Sequence, residues 1–121
     1  MTTIQKSARV YTWSELAEDQ PMAKIARRRI IGEKMMVSRV ELKKGFAVPS
    51  HSHDNEQFAV VLDGAIEFGL GDDEAETVTL TAGQVLHIPS NVPHSAKALQ
   101  DTLILDLFSP PSETTGVDAH G

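Results

Sequence analysis

Two histidines one residue apart, just ahead of an apolar run, constrain this chain more than any other feature. The stretch reads Gly45-Phe-Ala-Val-Pro-Ser-His51-Ser-His53-Asp-Asn-Glu-Gln57-Phe-Ala-Val-Val-Leu-Asp-Gly64. Successive side chains of an extended strand alternate faces, so His51 and His53 point the same way and Gln57 shares their parity. A later histidine, His94, follows Gly83-Gln-Val-Leu-His-Ile-Pro89-Ser-Asn-Val-Pro93 and is stiffened by its two prolines. Imidazole and carboxamide donors on a rigid frame, with a coordination position left open, suit one divalent ion. The expectation is that His51, His53, Gln57 and His94 converge on such an ion inside a small β-barrel. His87 reads instead as a neighbour of the site or a core histidine, and His120 as part of the tail.

The totals narrow the partners. A chain of 121 residues, 40% hydrophobic and 23% charged, is one globular domain with a single core. A net charge of -6 argues against nucleic acid, whose phosphates require a basic surface. No apolar stretch is long enough to span a bilayer, and no apolar run follows Lys6 as in a secretory signal, so a cytoplasmic protein is expected. The absence of cysteine excludes disulfides, thiolate ligands and thiol nucleophiles. Any metal must be held by nitrogen and oxygen.

Along the chain, three regions are expected: an N-terminal arm (1–24), a barrel (25–109) and a flexible C-terminal tail (110–121). In the arm, Ser14 is placed to cap one helical turn, with Trp13 and Leu16 packing on the barrel. Such an arm can close an open sheet edge, its own or a partner's. Arg27-Arg28-Arg29-Ile30-Ile31 and Met36 to Leu42 read as strands around Gly32-Glu33-Lys34, with Met36, Ser38, Val40 and Leu42 on one face. The three arginines are either a basic patch or, preferably, a half-exposed edge strand. The segment from Gln57 to Leu62 is apolar on both faces and predicts a strand covered on both sides. A hairpin through Gly64 is expected to return as Ala65 to Leu70. Gly71 to Glu76 is an acidic tip, Thr77 to Leu80 and Val85 to Ile88 are short strands, and His94 to Leu99 and Thr102 to Phe108 complete the set. Many short strands with turn chemistry between them describe an antiparallel sandwich or barrel.

The two histidine stretches resemble the paired motifs of the cupin family. Gly45, His51, His53 and Gly64 stand in register with the first motif, with Gln57 where that family usually has Glu. Gly83, Pro89 and His94 stand in register with the second, with Asn91 for the usual Gly and Ala98 for the usual Asn. The resemblance covers Met35 to Phe108. It implies an all-β double-stranded β-helix, a jelly-roll barrel, commonly dimeric, with the metal inside. A homodimer is therefore expected.

The closing strand Leu105-Asp106-Leu107-Phe108-Ser-Pro-Pro111, together with the histidine stretch, is similar to KdgF-like cupins. That resemblance implies conversion of unsaturated uronates from pectin or alginate to the linear keto form. It assigns His51, His53, Gln57 and His94 to the metal, Asp106 to acid/base work and Phe108 to the sugar pocket. On residues alone, Asp106 is equally an aspartate bonded to backbone or to an arginine. The family pattern carries an arginine after the two prolines where this chain has Ser112; Arg27, Arg29, Arg39 and Lys97 are the cations available to replace it. A neutral Gln57 leaves the dication's charge uncompensated, which favours Lewis-acid chemistry and anionic substrates over oxidation to the trivalent state. Nickel, iron, manganese, cobalt and zinc all suit these donors. The expected function is a metal-dependent isomerase or tautomerase acting on a small sugar acid or keto acid. A metal-dependent dioxygenase and a non-catalytic binder are the alternatives, because one fold hosts many chemistries.

Overall fold

The computed structural model describes residues 7–111. Nine strands carry the fold: β1 (Ile25–Ile31), β2 (Met36–Leu42), β3 (Ala47–His51), β4 (Glu56–Asp63), β5 (Ala65–Leu70), β6 (Glu76–Thr81), β7 (Val85–Ile88), β8 (His94–Ala98) and β9 (Thr102–Ser109). They form two antiparallel sheets, ordered β1-β2-β9-β4-β7 and β3-β8-β5-β6. The only helical pieces among the described residues are two three-residue 3-10 turns. No helix of the described residues is long and apolar enough to cross a membrane.

The alternation written into each strand builds the core. Met36, Ser38, Val40 and Leu42 of β2 point inward, as do Thr102, Ile104 and Phe108 of β9 and Ala59 and Val61 of β4. Phe46, Val48, Ile66, Phe68, Leu80 and Ala98 face them from the second sheet. Burying a side chain such as Ile66 stabilises the fold by roughly 1.5–3 kcal/mol. The two inner faces together make the barrel wall on which the histidines sit.

Two local expectations are corrected. Gly64 does not close a hairpin: β4 pairs with β7 and β9, while β5 pairs with β6 and β8, so Gly64 carries the chain from one sheet to the other. Its φ of 94° lies in the left-handed region. A Cβ there would stand 2.4 Å from the Asp101 carbonyl oxygen and 2.6 Å from Thr102 Oγ1, so only glycine fits. Ser14 caps nothing, because the first 3-10 turn spans Trp13–Glu15 and Ser14 lies inside it, with Thr12 at the cap and no side-chain cap bond. Trp13 and Leu16 are half-buried, as expected of an arm that packs on the barrel.

The arm meets its own sheet. Asp19 forms a one-residue antiparallel bridge with Arg27 at the free edge of β1, through both backbone hydrogen bonds. The Asp19 carboxylate then accepts from Arg27 Nε at 2.9 Å and from its terminal nitrogen at 3.0 Å. Burial alone would raise the Asp19 pKa, but the Arg27 bond and the charges of Arg27 and Arg29 hold it below the ordinary 3.8. β1 is thus an edge strand with charges engaged, in line with the preferred reading of the arginine run, although Arg27 itself is buried. The tail beyond Pro111, including Ser112 and His120, lies outside the described residues.

Candidate metal centre

Three imidazoles from three positions in the chain meet in one place. His51 stands opposite His94 in the β3–β8 ladder, with their ring centroids 4.3 Å apart. His53 is 5.0 Å from His94 and 5.8 Å from His51. One ring nitrogen of each lies within 4.8 Å of the others, close enough to share an ion.

The backbone has reached this geometry by a route the pleat rule does not describe. The strand ends at His51, so His53 belongs to the loop before β4, and a bulge between Val48 and His51 turns His51 onto the inner face that Val48 already occupies. Gln57 lies on β4 in the opposite sheet, so its parity with the histidines carries no meaning across the intervening turn. It nevertheless lines the same cavity.

Each ring is held by a backbone carbonyl. Nδ1 of His51 donates to Pro49 O (3.0 Å), that of His53 to Asn55 O (3.0 Å) and that of His94 to Val92 O (2.9 Å). A carbonyl only accepts, so each Nδ1 carries the proton and each Nε2 is left with its lone pair, the tautomer a metal ligand needs. His53 Nε2 is buried and without a hydrogen-bond partner, which in an apolar wall is costly unless something electrophilic meets it. His94 is pushed down to about 4, chiefly by burial, with the charges of His51 and His53 adding to the fall and the Val92 carbonyl opposing it. It is therefore neutral at physiological pH and available to a cation. The residues present fit a divalent metal.

Asp106 and Phe108 of β9 line the same cavity. Phe108 is buried, with its ring 5.8 Å from that of His53. Gln57 donates its amide N–H to Asp106 Oδ1 at 3.0 Å. Asp106 is raised to about 6 by burial, against the lowering effect of that hydrogen bond. Among the described residues, no arginine bonds it; its side-chain partner is Gln57. The cavity they line offers about 70 Å3 of free space.

Two residues were invisible or misplaced in the sequence reading. Asn55 is buried; its carbonyl orients His53 and its side-chain amide donates to Pro110 O at 2.6 Å, which ties the histidine loop to the end of β9. Nothing in its spacing marks that role. His87 is neither core nor a neighbour of the metal site. It is exposed on the outer face, stacked on Phe58 at 4.7 Å and bonded through Nε2 to Glu56 at 2.7 Å. The same bond draws Glu56 outward, away from the histidines.

Comparison with known proteins agrees with this geometry. The Cupin domain family model matches residues 38–108, more than half of the chain. The chain is a cupin. KdgF from Halomonas sp. is 26% identical over 88% of this chain and 97% of its own, with a TM-score of 0.81. An RmlC-like cupin from Shewanella frigidimarina is 22% identical over 91% of this chain and 97% of its own, with a TM-score of 0.80. An oxalate decarboxylase from Lactobacillus farciminis, in its formate complex, is 18% identical with a TM-score of 0.76; the match covers 92% of this cupin and 36% of that chain. The last two likenesses speak for the fold alone. No curated protein sequence matches this cupin.

Proposed function

We propose that this cupin is a metal-dependent isomerase or tautomerase acting on a small sugar acid or keto acid, in the manner of the KdgF-like proteins it resembles. The observation that carries the reading is Asp106. Its carboxyl lines the three-histidine cavity and accepts the Gln57 amide there, while burial raises its pKa, the placement of a group that moves a proton.

In this reading His51, His53, His94 and the amide oxygen of Gln57 hold one divalent ion, whose contribution is to polarise a carbonyl or hydroxyl oxygen of the substrate. The Gln57 amide N–H keeps the Asp106 carboxylate aimed into the cavity. Asp106 takes a proton from one substrate atom and returns it to another. No electron leaves the substrate, so no oxidant is required. Phe108, buried on the cavity wall beside His53, would give the substrate an apolar surface. The neutral Gln57 leaves positive charge for an anionic enolate, whereas a dioxygenase would draw on the trivalent state that this donor set disfavours.

Purified protein loaded with zinc, nickel or manganese, assayed on unsaturated uronates with Asp106→Asn as control, tests the reading. The expectation is turnover in the wild type and a loss of a hundredfold or more in the variant with its metal retained, the scale of an acid/base group. Unchanged turnover in Asp106→Asn, or steady oxygen uptake by the iron-loaded protein with matching product, would overturn it.

We also propose a homodimer formed through the outer face of the β1-β2-β9-β4-β7 sheet. Phe58, Leu62 and Val85 are exposed there at 39%, 46% and 55%, beside half-buried Leu103, Leu105 and Leu107. A sheet with apolar residues on both faces requires a cover on the second, and a two-fold axis lets one face serve both copies.

A further inference from the structure

The cavity lining contains no lysine or arginine. An acid held there would meet the metal with one end and find no cation for its carboxylate. Among the described residues, the inner-face cations are Arg27 and Arg29 of β1. Arg39 and Lys97 are removed from consideration: Arg39 is committed to Glu41 at 2.7 Å on the outer face, and Lys97 is exposed, between the inward-facing Ala96 and Ala98 of β8.

Register fixes where Arg29 stands. It pairs with Ser38, and Ser38 pairs with Asp106, so the three lie in one row across β1, β2 and β9 on the same face of the sheet. The neighbouring row contains Phe108 and Gln57. Two strand spacings of about 4.8 Å put Arg29 roughly 10 Å from Asp106 at the backbone. Only the short side chain of Ser38 intervenes. Arg29 thus stands beyond the residues that line the cavity, along the row that leads out from Asp106.

The guanidinium is also incompletely used. One terminal nitrogen reaches Asp19 Oδ2 at 3.5 Å, the limit of contact, and that carboxylate is already gripped by Arg27 at 2.9–3.2 Å. The other, Nη1, is buried and has no hydrogen-bond partner. Such an N–H leaves its desolvation unrecovered. Among the described residues only one other buried side-chain nitrogen is so placed, His53 Nε2, the atom that would bind the metal.

We propose that Arg29 is the substrate-binding residue that receives the carboxylate of the acid, a bidentate site reached by releasing its long contact to Asp19. This rests on the reading of the cavity as a sugar-acid site, and it is a statement about binding, separable from turnover. The test is calorimetric titration of zinc-loaded protein with the unsaturated galacturonate monomer and with its methyl ester, which lacks the charge and adds a methyl group. Wild type is expected to bind the acid at least tenfold more tightly than the ester. Arg29→Gln is expected to bring the acid down to the affinity of the ester while leaving the ester and the zinc content unchanged. Arg29→Lys should retain part of the preference, since an ammonium offers charge without the fork, and it stands in if Arg29→Gln does not fold. No preference in the wild type, or equal loss for acid and ester in the variants, would overturn the proposal. Arg29-dependent binding without turnover would leave it standing and defeat the isomerase reading; turnover with a KM indifferent to Arg29→Gln would do the reverse.

Discussion

Gln57 and Asp106 lie diagonally across adjacent strands, β4 and β9, and the amide of one donates to the carboxylate of the other at 3.0 Å. The residue assigned to the metal and the residue assigned to the proton are therefore one coupled unit. Restoring the glutamate common at this position of the family places two carboxylates about a hydrogen bond apart. Gln57→Glu is expected to bind its metal more tightly and to move the acid limb of the pH–rate profile upward by about one unit, because like charges cannot both ionise cheaply at that range. A profile superimposable on the wild type would mean the two residues do not communicate.

Metal-free protein should show two opposed titrations. His94 is ordinary at 6.5 when unfolded and about 4 when folded, so between those values the unfolded chain binds more protons and stability rises with pH. Asp106 is 3.8 when unfolded and about 6 when folded, so there the folded chain binds more protons and stability falls as pH rises. Each amounts to on the order of 3 kcal/mol, and between pH 4 and 6 they largely offset. Removing the second with Asp106→Asn leaves the first alone. Urea midpoints of the metal-free variant should climb steeply from pH 4 to 6.5 while the wild type stays nearly flat, and at pH 7.5 the variant should be the more stable. Parallel curves would show that Asp106 is not held as described.

Gly64 offers a test of the crossover between sheets. The backbone there is left-handed and a Cβ would collide with the Asp101 carbonyl and Thr102. Thr102 cannot easily move, since its hydroxyl bonds both backbone groups of Ala65. Gly64→Ala is expected to lose about 2–4 kcal/mol by denaturant unfolding, the range of strain at a special backbone position. A loss under 1 kcal/mol would contradict the close approach.

The outer face makes a prediction about assembly. Val85→Glu and Phe58→Arg place charge on an exposed patch and remove nothing from the core. Light scattering is expected to give a dimer for the wild type and a monomer for the double variant, with the monomer still binding its metal. A wild-type monomer at tens of micromolar would remove the interface.

How far the sequence could be read depended on the distance each rule spans. The strands from Ile25 to Ser109 were legible because alternation and turn residues are local. The His51–His53 pairing came out right for a reason only half correct, since a bulge and a loop, not a continuous pleat, bring the rings together. Partner strands were not legible at all. An Asp-Gly turn looks the same whether the chain folds back into a hairpin or crosses to another sheet, and here Gly64 crosses. His87 shows the same limit: its parity with Val85 was visible, but not that this shared face is the outer one. The carbonyls of Pro49, Asn55 and Val92 that set all three imidazoles leave no trace in residue type.

The central claim is that three imidazoles surround one ion. X-ray absorption at the metal edge of the purified, metal-loaded protein tests it most directly. The account predicts one ion per chain with three imidazole nitrogens and oxygen in its coordination sphere. An ion with fewer imidazoles, or none bound above background, would contradict it.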